Sequence, residues 1–97
     1  MRNDRIEWDD RKASSNLFKH GVSFEEAAAV FDDLHALIEA DDSDPYEERW
    51  ATIGLSLDNV LFVISTERRG NIVRIISARR ATRHEEDSYY RQALPER

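Results

Sequence analysis

Six arginines stand close together near the end of the chain: Arg68, Arg69, Arg74, Arg79, Arg80 and Arg83. From Ser65 to His84 the only acid is Glu67, so the segment carries +5 and contains no lysine. A guanidinium is a planar fork of N–H donors that fits phosphate or carboxylate. The chemistry such a cluster suits is the binding of anionic groups, phosphate above all. His20, preceded by Lys19, is the candidate proton carrier, because histidine alone has an ordinary pKa near neutrality. Its other reading is a cation at a helix C-terminus. Tyr89 and Tyr90 can stack on a nucleobase, a contact worth about 1–3 kcal/mol, or Tyr89 can pack on the protein's own sheet. His84 and His35 are weaker candidates. Trp8 and Trp50 read as core or interface aromatics.

The net charge of −6 hides this cluster, because ten acids and no basic residue lie between Glu25 and Glu48. A chain so divided either presents two electrostatically different faces or pairs its arginines internally with its acids. The runs Asp32-Asp33 and Asp41-Asp42-Ser43-Asp44 lack the spacing and glycine of a calcium loop. With no cysteine, thiolate metal sites, disulfides and thiol nucleophiles are excluded. No metal and no cofactor is therefore expected. The 97 residues suit one domain, 1–97. No apolar run approaches the ~18 residues a membrane span needs. The charged start, Met1 to Arg5, lacks the apolar stretch of a secretory signal, which places the chain in the cytoplasm.

The elements that must position these residues follow from patterning. Ile6-Glu7-Trp8 is a short edge strand, and Asp9 or Asp10 caps a helix running to His20, with Gly21 as its stop. Ser23 and Glu26 form a capping box for a second short helix with apolar Phe24, Ala27, Ala28 and Phe31. Four strands follow: Leu34–Ala40; Trp50–Leu57, with one buried face; Val60–Ile64, apolar on both faces and so central; and Ile72–Ala78. Asp58-Asn59 and Arg69-Gly70-Asn71 are the turns. Thr82 and Glu85 make a second capping box opening a helix to about Ala93, and Pro95 marks a frayed tail. The order β-α-α-β-β-β-β-α is an α+β design, a mainly antiparallel sheet with helices covering a face.

Regular alternation along the last strand puts Val73, Ile75, Ser77 and Arg79 on one side, with Arg74 and Ile76 on the other. Arg79 and Arg80 then cannot share a face. Arg68 and Arg69 lie at the far end of the hairpin, about 23 Å from Arg79. This separation implies either a long basic track or catalysis at one end only.

Several blocks resemble the BrnT toxin family: Glu7-Trp8-Asp9, Asn16-Leu-Phe-Lys-His-Gly-Val-Ser-Phe-Glu-Glu-Ala27, Phe31-Asp32-Asp33, Glu48-Arg49-Trp50 with Ile53-Gly54, and Arg74-Ile-Ile-Ser-Ala-Arg-Arg-Ala-Thr-Arg83 with Glu85 and Tyr89. They recur in order over residues 7–89. The resemblance implies a RelE-like fold, ribonuclease toxicity, and neutralisation by a BrnA-like ribbon-helix-helix antitoxin, in a 2:2 heterotetramer that represses its own operon. Operator DNA would be bound only through the antitoxin. Ser65 stands where the family often has an aromatic or histidine, so no role is carried to that position. On this reading Arg79, Arg80, Arg68, His20 and Tyr89 are the catalytic candidates, and Lys19, Arg69, Arg74 and Arg83 contact the RNA. The antitoxin is expected to cover the arginine-rich face. The alternative is a non-catalytic module whose arginine face docks a protein or nucleic acid.

Overall fold

A computed structural model describes residues 5–93. Met1 to Asp4 and the tail with Pro95 lie outside the described residues. The elements are β1 (Ile6–Glu7), α1 (Asp10–His20), α2 (Phe24–Ala29), a 3₁₀ turn (Val30–Asp32), β2 (Leu37–Asp41), β3 (Arg49–Ser56), β4 (Asn59–Arg68), β5 (Ile72–Arg80) and α3 (Arg83–Ala93). The five strands form one sheet in the order β1-β5-β4-β3-β2. β1 runs parallel to β5, and the other pairings are antiparallel. β4, apolar on both sides, is the middle strand.

Local chemistry explains where the helices start and stop. Asp9 accepts from the backbone N–H groups of Arg11 and Lys12, and Gly21, in the left-handed region at φ 69°, ends α1. Ser23 and Glu26 satisfy each other's backbone N–H groups, as the capping box requires.

Three expectations change. β2 begins at Leu37 rather than Leu34, because Asp33 accepts from the His35 N–H and its carbonyl accepts from Ala36, which folds residues 33–36 into a turn. The β3–β4 hairpin turns at Leu57-Asp58, one residue early, with Leu57 at φ 55°. Helices cover both sides of the sheet, not one. α1 and α2 bury Leu61, Val63, Ile75 and Ala78, while α3 brings Tyr89 onto Ile53 and Val60. β3 is consequently buried on both faces. Its second face closes at Gly54, where an added Cβ would lie 2.8 Å from Val30 Cγ1 and 3.2 Å from Ala36 Cβ. The missing side chain lets the 3₁₀ turn sit directly on the strand.

Beyond the two residues of β1, the edge of β5 is completed by a side chain. Asn16 donates to the Ala78 carbonyl at 2.8 Å and accepts from the Ala78 N–H at 3.0 Å. Its amide also donates to the Val22 carbonyl at 3.0 Å. One buried amide thus acts as an extra strand residue and fixes α1 against the sheet.

Candidate functional site

A β-bulge decides which arginines meet. Ser65 pairs with Ile75 but Ile64 pairs with Ser77, so Ile76 is an extra residue in β5. The bulge lets Ile75 and Ala78, three apart, both enter the core beneath α1 and α2. It also overturns the expected alternation. Arg79 pairs with Phe62, Ser77 with Ile64 and Arg74 with Thr66, so Arg74, Ser77 and Arg79 share the α3 side of the sheet. Arg80, opposite Leu61, projects to the other side and is exposed.

On the α3 side the helix covers only one end of the sheet. At the open end lies a cleft of about 220 Å³, lined among others by Lys12, Arg49, Thr66, Arg68 and Arg74. A second depression of about 200 Å³ adjoins it, sharing Lys12 and Ile76 and continuing to Lys19, His20 and Ser77. Lys12, Lys19 and His20 recur at helical spacing along α1, so the helix edge and the bulged strand form the two banks of one groove.

The arginines of this groove already have carboxylate partners. Arg74 donates to Glu7 at 3.2 Å, and Arg68 stands 3.9 Å from the same oxygen. Arg49 meets Asp44 at 3.3 Å and Glu47 at 2.9 Å. Internal pairing is therefore real, but not with the acidic segment: among the described residues the arginines of 68–83 that form ion pairs meet Glu7 and Glu85, and only Arg49 meets acids of residues 25–48. Yet a guanidinium has five N–H donors, and Arg74 gives Glu7 a single hydrogen bond. Arg74 lines the cleft, and its remaining donors can take a phosphate without breaking that pair.

Arg79 is held more firmly. Two parallel hydrogen bonds join it to Glu85 at 2.8 and 3.0 Å, and a third reaches the Arg80 carbonyl at 3.1 Å. Its guanidinium carbon lies 4.0 Å above the centre of the Phe62 ring. Glu85 is at the same time the capping-box acid of α3, accepting from the Thr82 N–H at 2.8 Å. The hydrogen bonds from Arg79 hold the Glu85 carboxyl below its ordinary range, against the opposing effect of burial. The same hydrogen bonds raise Arg79 further. Arg79 thus has a fixed pose, with its side chain 36% exposed.

The other sequence candidates are dispersed. Arg68 and Arg79 are six β4 residues apart by register, about 20 Å, as the hairpin geometry required. Arg69 sits in the exposed β4–β5 turn and Arg83 at the exposed start of α3. Tyr89 is only 3% exposed, and its hydroxyl donates to Asp33 at 2.5 Å. This placement removes Tyr89 from any base-stacking surface, because apolar packing under α3 claims its ring. Burial, then the Asp33 carboxylate, pushes the Tyr89 hydroxyl up to about 12. For Asp33, burial acts upward, but hydrogen bonds from Tyr89, Leu55 and His35 together bring the carboxyl below its ordinary value. The sequence reading missed Lys12, Arg49 and Glu7 as members of the groove. Their only signal was register, since Arg49 pairs across to Asp41 on β2 and Glu7 lies opposite Arg74 on β5.

Among the described residues, no helix is long and apolar enough to cross a membrane. A comparison with curated protein sequences found no significant match. Among solved structures, the chain is similar to the 1.1 Å crystal structure of the Brucella abortus ribonuclease toxin, BrnT. The TM-score is 0.66 at 29% identity, over 80% of this chain and 96% of that one. The family model for the ribonuclease toxin BrnT of type II toxin–antitoxin systems matches residues 8–85, so this chain belongs to the BrnT toxin family.

Proposed function

We propose that the chain is an endoribonuclease that cuts RNA in the groove between α1 and the bulged β5 strand, without a resident metal ion, and so inhibits translation and growth. The observation that carries this reading is the bulge at Ile76. It sets Arg74 and Arg79 on one face, with Ser77 between them in the depression that holds His20. In the proposed step a ribose 2′-oxygen attacks the adjacent phosphorus, a cyclic phosphate forms, and the 5′-oxygen leaves with a proton. Arg74 and Arg79 hold the phosphate and offset the charge gathering on its oxygens, the kind of contribution that dominates many such reactions. His20 moves a proton at the 2′- or 5′-oxygen, an effect of roughly 10²–10⁴-fold. Lys12, Lys19 and Arg68 track neighbouring phosphates, which makes RNA affinity fall with salt. Within a type II system, the neutralising partner is proposed to be a BrnA-like ribbon-helix-helix antitoxin in a 2:2 complex. That complex would act in the cytoplasm and repress its own operon.

The test uses purified chain, chelator and end-labelled RNA. Cleavage should persist with chelator, leave a 2′,3′-cyclic phosphate, and stop when the target ribose is 2′-deoxy. Arg74→Ala and Arg79→Ala should lose most activity while remaining folded, and His20→Gln should lose at least tenfold. Activity that vanishes with chelator and returns with one divalent ion refutes the metal-free step. RNA that is bound but never cut favours the binding-module reading.

A further inference from the structure

The groove arginines are largely paired from within, whereas a set of acids at another border of the sheet has no ion pair among the described residues. β2 is the last strand of the sheet, and among the described residues it is the long strand with one side unpaired. The opposite border of the sheet is closed by β1 and by the Asn16 amide. An open strand edge carries a row of backbone donors and acceptors ready for another strand, and proteins usually blunt such edges. Among the described residues, this one is not blunted by proline, lysine or a covering helix.

Its two faces differ in chemistry. Ile38, 65% exposed, lies on the α2 side of β2. It stands at the mouth of a cleft of about 270 Å³ whose walls include Phe31, Trp50, Thr52 and Val73. That mainly apolar trough, with Ser65 and Glu67 also in its wall, crosses the sheet from β5 to the open edge. On the other side of β2 lies Glu39, and beyond the strand lie Asp42 and Glu48. All three are exposed and without an ion pair among the described residues.

We infer that β2 is a docking edge for an extended segment of the antitoxin in which apolar and basic side chains alternate. The segment adds as a sixth strand. Its apolar side chains enter the trough beside Ile38 and Trp50, and its basic side chains meet Glu39 and the acids that follow. Strand addition of this kind takes affinity from main-chain hydrogen bonds and specificity from pockets for alternate side chains. A second copy of this chain fits the edge poorly, because antiparallel β2–β2 pairing centred on Glu39 sets Glu39 against itself and pairing centred on Ala40 sets Glu39 against Asp41, and like charges in cross-strand positions repel. This assignment rests on the toxin–antitoxin reading for the identity of the occupant, but not on the ribonuclease site.

The experiment compares amide hydrogen exchange in the free chain and in its complex with the full-length, co-expressed antitoxin. Amides within residues 37–41 should gain protection in the complex. The double variant Glu39→Lys with Asp42→Lys should associate with the antitoxin at least tenfold more slowly, and Ile38→Asp should release it faster. All of these variants should cut RNA in the free state like the parent, so a failed ribonuclease proposal is read separately and leaves the exchange result standing. A complex in which residues 37–41 exchange as in the free chain, or charge-reversed variants that bind at the parental rate, overturns the assignment. So does a free-chain dimer that protects the same amides, which gives the edge to a second copy.

Discussion

Replacing Asn16 with alanine should be among the most damaging single changes available outside the apolar core. The amide is 6% exposed and makes three hydrogen bonds, to the Ala78 N–H, the Ala78 carbonyl and the Val22 carbonyl. A typical protein hydrogen bond has a net value of about 0.5–1.5 kcal/mol, and a buried group left without a partner costs about 1–3 kcal/mol. Removing the amide forfeits the three bonds and strands three backbone groups, so the expected loss is about 3–5 kcal/mol. Water entering the gap would keep the cost at the lower end. Against a usual total of about 5–15 kcal/mol this is a large fraction. Asn16→Asp is a sharper probe. A carboxylate still accepts from the Ala78 N–H, but it turns an acceptor toward the Ala78 and Val22 carbonyls. The folded state then resists ionisation of that carboxyl and its pKa rises. The variant should be least stable above its folded pKa and recover as pH falls. Urea unfolding at several pH values measures both. An Asn16→Ala loss below about 1 kcal/mol at unchanged m-value, or an Asp variant with parental pH dependence, would refute the idea that this amide closes the sheet edge.

Four further outcomes follow from the geometry. Gly54→Ala should cost about 1–3 kcal/mol by overpacking, because its Cβ would meet Val30 Cγ1 at 2.8 Å; thermal unfolding checks it, and a stabilised variant counts against the close approach. Tyr89→Phe should lose about 1.5–3 kcal/mol near neutral pH, the range for a hydrogen bond to a charged group. The folded hydroxyl titrates at about 12 against an ordinary 10, so its contribution is complete below 10 and disappears as pH rises toward 12; the gap between parent and variant should close over that window. Asp33 and Glu85, both lowered, act at the other extreme, and their contributions vanish as pH falls below their ordinary values of 3.8 and 4.5. Leu57→Asn should raise stability by about 1 kcal/mol, since a leucine at φ 55° and 83% exposure gives up backbone comfort for no burial; a lower melting temperature contradicts this.

What the sequence disclosed was mostly local. Both capping boxes, the Gly21 stop, the turn at Gly70 and the central position of β4 depend on residues a few places apart, and the structure has each of them. Features that depend on pairing across the chain were hidden. Asn16 read as one polar position on a helix, but its amide is matched to a backbone 62 residues away. Asp33 looked like the end of an acidic pair, yet it gathers Leu55, His35 and Tyr89. Arg49 and Lys12 joined the groove only through strand register and helix placement. The bulge at Ile76 was illegible for the same reason, since strict alternation is the natural assumption for an apolar strand and assigns Arg79 to the wrong side.

That bulge also makes one point of the strand tolerant of changes in length. A codon lost or gained elsewhere in the β4–β5 ladder slips the register by one and turns every later side chain over. Loss of Ile76 itself has a different result, because the pairs Arg74–Thr66 and Arg79–Phe62 persist on either side of it. Only the local bend would go. Related chains can therefore differ by a residue at this spot and still present both arginines to the same surface. In a comparison of such sequences, a gap falling there marks a change of curvature in the groove and not a change in the residues that line it.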